Sequence, residues 1–300
     1  MKNTVLTSLL RSAWMIADDA LMSSATAFQV QHLLDGDARK YTARPEVFPI
    51  EMVASAMAFD EAPETESNGA SPVQPRIAVV PLHGTMLKHG TLCTYGTTEI
   101  AQQITSLMAD NSVIGIVIDV DTPGGEVSSI PPLVHAIQHR TKPIIGLGDV
   151  NCSAGYFISL FADEIWASND ISAMIGSIGV QVSFADVQPY YEKMGVVFHR
   201  ITPIESTDKN MTFELAREGK YDQIKAEMLS PMAQRFQKEV RDHRPALVEE
   251  PGVLNGKTYL APEALRLGLI DRVGSLQEAA ARISELALQY EAQKFINANQ

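Results

Sequence analysis

The feature that most constrains this chain is an alternation. Short runs of β-branched and aliphatic residues, Ile77 to Pro81, Val113 to Val120 and Pro143 to Leu147, are separated by helical stretches, Glu99 to Asp110 and Ser129 to Arg140. Strand, helix, strand, helix, strand predicts βαβ units and a mainly parallel sheet. The strands are near-continuously apolar, as strands covered on both faces must be. A helix over Ala154 to Ala162 and a strand over Glu164 to Ala167 continue the series. Beyond Thr212 the chain reads as helical, through Gln223 to Asp242, and a last helix runs from Leu276 to about Ala298. The fold class expected is α/β.

Residues 60–75, DEAPETESNGASPVQP, are rich in acid, Pro, Ser and Gly. Such a stretch buries too little apolar surface to order itself and reads as a linker. Before it, Leu10, Trp14, Ala17 and Leu21 recur at three- and four-residue spacings, which predicts an amphipathic helix over Thr7 to Leu34. The division that follows is an N-terminal helical extension (1–59), the linker (60–75), a main domain (76–275) and a C-terminal helix (276–300).

Acidic residues outnumber basic ones, 36 to 24, for a formal charge of −12. This argues against nucleic acid or an anionic membrane as partner. The two cysteines, Cys93 and Cys152, form no C-x-x-C pair, so neither a disulfide framework nor a zinc site is expected. Arg11, Asp18 and Asp19 interrupt the N-terminus before an export signal could form, and no apolar run reaches the roughly 20 residues of a membrane span. A soluble, cytoplasmic protein is expected.

Two strand-to-helix junctions can carry chemistry. Asp121-Thr122-Pro123-Gly124-Gly125 follows the strand ending at Val120. Its glycines can aim backbone N–H groups at an oxygen that becomes negative, or it is a simple turn. Asn151-Cys152-Ser153-Ala154-Gly155-Tyr156 lies where a later strand gives way to a helix. A serine there sits at the carboxyl end of a parallel sheet, where α/β proteins place their sites, although an N-cap would use the same residue. A hydroxyl nucleophile needs a base. His83 and His199 lie at strand ends and read as structural. His135 and His139 stand one turn apart with no third ligand in reach, so they do not define a metal site. The candidate bases are therefore these histidines, His243, or a lysine made neutral by burial.

DTPGGEV (Asp121 to Val127), NCSAGYFISLFADEIWAS (Asn151 to Ser168), IGSIGV (Ile175 to Val180) and GKTYLAPEALRLGLIDRVGS (Gly256 to Ser275) occur in this order. Together they resemble the blocks of the signal-peptide-peptidase family, including its phage head-maturation proteases. The resemblance covers about Ile77 to Ser275. It implies a fold related to the Clp peptidases and the crotonases, a Ser/Lys dyad acting as a serine endopeptidase through an acyl-enzyme, and assembly into a homo-oligomeric ring or dome.

Carried over, Ser153 is the nucleophile, Gly125 and Ala154 N–H groups hold the oxyanion, and Ser177 orients the lysine. Lys209 is the base that the resemblance favours, with Lys220 as the alternative. No metal or organic cofactor is implied. The missing membrane anchor favours the phage branch, whose substrates are scaffold, portal or capsid proteins. A non-catalytic structural paralogue and a crotonase-type acyl-CoA enzyme are the competing readings.

Overall fold

The computed structural model describes residues 14–16, 48, 50–54, 74–91, 94–184 and 186–298. Its frame is an eight-stranded sheet. Strands β3 (Arg76–His83), β4 (Val113–Thr122), β6 (Ile144–Cys152), β7 (Glu164–Ala167) and β10 (Arg272–Val273) run parallel, in the order β3-β4-β6-β7-β10. Strand β2 (Glu51–Ala54) adds antiparallel to the outer edge of β3. The mainly parallel α/β sheet anticipated from the alternating pattern is present.

Period-two alternation sends each central strand's side chains to opposite faces. Ala78, Val80, Leu82, Ile116, Ile118 and Val120 join the larger core, with helices α1 (Thr97–Ala109) and α2 (Ile130–Gln138) packed on it. Ile77, Val117, Ile145, Leu147 and Trp166 point the other way, onto the final helix. That helix (Leu276–Ala298) presents Ala279, Ala280, Ile283 and Leu286 at the spacing of one helical face. Both faces of the sheet are covered along the first part of β4, which explains why Val113 to Ile118 is an apolar run.

Strand β6 divides the sheet. Its first half, Ile145 to Gly148, pairs with β7, and its second half, Val150 to Cys152, pairs with β8 (Met174–Gly176). Strand β8 is closed on its far side by the antiparallel β9 (Thr258–Leu260). Helix α3 (Ala154–Ser159) begins where β6 ends, so the fork opens toward the strand-to-helix junction.

The structure departs from the expected elements in two places. Strand β6 continues five residues past Leu147, where the expected strand ends, because β8 and the end of β4 supply backbone partners to Val150–Cys152. In the N-terminal extension, expected to be helical, the described segments with regular structure are strands: β2, and β1 (Trp14–Ile16), which pairs with β5 (Gly124–Glu126). Pairing with a distant strand overrides the local period there. The rest of the expected helix over 7–34, and the linker up to Val73, lie outside the described residues.

Candidate active site

Ser153 occupies the one-residue turn between β6 and α3. Its φ of 54° and ψ of −116° are strained for any residue with a Cβ. Two backbone hydrogen bonds hold it there: Ser153 N–H donates to the Gly176 carbonyl at 2.8 Å, and its carbonyl accepts from Phe157 N–H at 2.9 Å. A serine so placed resembles a nucleophile elbow, with its hydroxyl lifted off the strand and away from capping the helix. No side-chain cap bond forms, and among the described residues Ser153 Oγ has no hydrogen-bond partner. The residue is 1% exposed.

Below the elbow lies a buried polar layer. Asn151 Nδ2 donates to Ser159 Oγ at 3.0 Å, and Ser159 Oγ reaches the Gly155 carbonyl at 3.0 Å. These contacts tie the end of β6 to the end of α3 and fix the turn between them. The neighbouring loop is set by Thr122, whose hydroxyl donates to the Gly84 carbonyl and accepts from Gly124 N–H at 3.1 Å. Thr122 is opposite Asn151 in the β4–β6 register, so the glycine loop lies beside the elbow. Only glycine fits at 155, where a Cβ would stand 2.4 Å from Thr122 Cγ2. At 125 a Cβ would meet the Met86 carbonyl oxygen at 2.1 Å. The blocks around Asn151 and Thr122 carried their signal in the sequence, but the bond from Thr122 to Gly84 joins residues far apart in the chain.

Ser177 follows the last residue of β8, as Ser153 follows the last residue of β6. Cys152 and Gly176 are register partners, and Ser177 shares the 54° φ. Its N–H donates to the Lys257 carbonyl at 3.0 Å, which anchors it to the β9 connection. Ser153, Ala154, Ser177 and the Gly125 loop are therefore gathered at one end of the sheet.

Among the described residues, no hydrogen bond joins either candidate lysine to this cluster. Lys209 is exposed, ahead of the short helix Met211–Arg217, and no hydrogen bond joins it to Ser153. Lys220 is exposed and ion-paired to Glu218 at 2.7 Å. Among the histidines, His83 Nε2 meets Asp119 Oδ2 at 2.8 Å on the solvent side of β3 and β4, and that contact raises the imidazole pKa above its usual value. No cluster of three or more metal-ligating side chains occurs among the described residues, and none of the described helices is long and apolar enough to cross a membrane.

The sequence of residues 136–289 matches the family description "Peptidase family S49". This span is half of the chain and contains the β6–α3 junction and β8. The chain belongs to peptidase family S49. Protease 4 of Haemophilus influenzae is 28% identical over 220 residues, covering 71% of this chain and 35% of that protein. Capsid assembly protease C of Escherichia phage lambda is 33% identical over 128 residues, covering 40% of this chain and 29% of its own length. The S49 chain thus spans about a third of each of these relatives. Among solved structures, 1510-N, a membrane-bound stomatin-specific protease, aligns at 15% identity with a TM-score of 0.44, covering 67% of this chain and 81% of that one.

Proposed function

We propose that this S49 chain is a serine endopeptidase with Ser153 as nucleophile and Lys209 as general base. The observation that carries the reading is the strained, uncapped Ser153 at the tip of the forked sheet, in a chain of this family. In the proposed reaction a neutral Lys209 amine takes the Ser153 proton and the alkoxide attacks a peptide carbonyl. The Gly125 and Ala154 N–H groups bind the resulting oxyanion. The amine of the scissile bond leaves with the proton from Lys209, and water then hydrolyses the seryl ester. Ser177 orients the lysine.

A lysine can act as base near neutral pH only once desolvation lowers its pKa from about 10.4. Lys209 is exposed in the single chain, so its enclosure requires a further copy or a bound substrate. A homo-oligomer is the form we favour, because Val197, Ile201 and Ile204, on the segment leading to Lys209, are 72%, 91% and 84% exposed. The likeness to the phage lambda capsid assembly protease supports scaffold, portal or capsid proteins as substrates.

The test is mass spectrometry after incubation with a serine-reactive fluorophosphonate. A single adduct on Ser153 is expected, absent in Ser153→Ala and in Lys209→Ala but retained in Lys220→Ala. No adduct on the assembled protein would refute the dyad. Processing of a co-expressed capsid or scaffold protein by wild type but not by Ser153→Ala tests the substrate class.

A further inference from the structure

We propose that Trp14–Ile16 occupies, within its own chain, the strand edge on which an extended peptide substrate lies, and thereby holds the site closed. The proposal rests on the peptidase reading above and adds to it the binding surface and its first occupant.

The argument is one of backbone accounting. Strand β5 has only two edges. One is committed to Met86: Met86 N–H donates to the Gly124 carbonyl at 2.9 Å, and Glu126 N–H donates to the Met86 carbonyl at 2.9 Å. Successive residues of a strand direct their N–H and C=O groups to opposite edges. Gly125, between these two, therefore turns its own N–H and C=O to the other edge. That edge holds β1, antiparallel, with Met15 opposite Gly125, Trp14 opposite Glu126 and Ile16 opposite Gly124.

The Met15 carbonyl is thus the acceptor that the register offers to Gly125 N–H, the donor that the proposed mechanism assigns to the oxyanion. While β1 is in place, that N–H is taken. An incoming peptide would have to add at the same edge, by main-chain hydrogen bonds that any extended segment can make. A tethered strand competes at high effective concentration without needing a strong sequence preference. The occupant is accordingly an extended peptide recognised through its backbone, and the chain's own residues 14–16 are the copy already bound.

The experiment compares full-length wild type, Met15→Pro and Met15→Ala. Proline removes the N–H that Met15 brings to the pair, whereas alanine keeps it. Hydrogen exchange should find the Gly125 amide protected in wild type and Met15→Ala and unprotected in Met15→Pro. If β1 fills the edge about 90% of the time, fluorophosphonate labelling of Ser153 should be about tenfold faster in Met15→Pro. A synthetic peptide of residues 7–20, TSLLRSAWMIADDA, should slow that labelling again.

Equal labelling of Ser153 in all three proteins would overturn the occlusion and leave the peptidase reading standing. Gly125 protection that differs as expected, with no labelling of Ser153 in any variant, would remove the peptidase reading and the occlusion with it. Equal Gly125 exchange in all three would overturn the pairing itself.

Discussion

Single residues at the tip of the sheet are held by steric fits that a methyl group upsets. Gly155→Ala would place a Cβ 2.4 Å from Thr122 Cγ2, a contact that must be relieved by moving either α3 or the Gly124–Gly125 loop. Overpacking of this kind costs about 1–3 kcal/mol. The expected outcome is a folded protein that labels at Ser153 at least about tenfold more slowly, read by circular dichroism and mass spectrometry together. His83 gives a second prediction at this scale. The hydrogen bond to Asp119 raises its pKa, burial opposes this, and the charges of Asp119 and Asp121 add to the rise. The folded value lies above the unfolded one, so the stabilisation is complete below about pH 6.5 and disappears as pH rises through the folded value. An NMR titration should therefore find the His83 midpoint above 6.5 in wild type and lower in Asp119→Asn, and the stability advantage of wild type over that variant should shrink across the same window.

At the scale of elements, the parallel strands are stepped onto one another by a repeated device. Asp163, just before β7, donates its N–H to the Ile144 carbonyl at 2.9 Å and accepts Ile144 N–H on its carboxylate at 2.8 Å. Asp271, just before β10, does the same to Ile165, at 2.7 Å for both bonds. Each aspartate also takes an arginine, Arg140 at 2.8 Å and Arg244 at 2.9 Å. Asp163 further accepts from Tyr290 Oη at 2.8 Å, which fastens the last helix to the start of β6. Asp163→Ala strands a half-buried guanidinium and an amide, and should cost about 2–4 kcal/mol. Tyr290→Phe loses two hydrogen bonds, the one to Asp163 and the one accepted from Arg140 Nε at 3.0 Å, and should cost about 1–3 kcal/mol, with both values read from urea unfolding. The pattern of these elements explains what the sequence disclosed. Strands β3, β4 and β7 are apolar runs and could be read directly, as could α1 and the last helix. Strands β5, β8 and β9 could not, because three residues carry no period and become strands only through partners far along the chain. The same holds for the site: Ser153 and the glycine loop stood out as junction motifs. Asn151 with Ser159, Thr122 with Gly84, and the pairing of β1 exist only in three dimensions.

For the whole molecule, the central question is what covers the segment from Phe184 to Ile204. It forms one wall of an open groove of about 560 Å³ lined by Phe184, Val187, Tyr191, Val196 and Phe198, with Asp186 and Arg217 bridged at 3.3 Å on its rim. Isolated apolar side chains on a surface need no explanation, but a contiguous stretch of them next to the proposed base does. If copies of the chain cover it, two forces oppose each other. Apolar burial favours assembly, while a formal charge of −12 on every copy resists it. Repulsion between exposed charges is screened within about 8 Å at 0.15 M salt, whereas apolar burial is not weakened by salt. The particle mass measured by light scattering should therefore rise from low to physiological salt, and fluorophosphonate labelling of Ser153 should rise with it. Ile201→Asp, at a position 91% exposed in the single chain, should leave the unfolding midpoint of the isolated chain unchanged while reducing both mass and labelling. A mass that falls with salt would point to an interface built on ion pairs. A mass and labelling rate unaffected by Ile201→Asp would mean that another surface encloses the lysine.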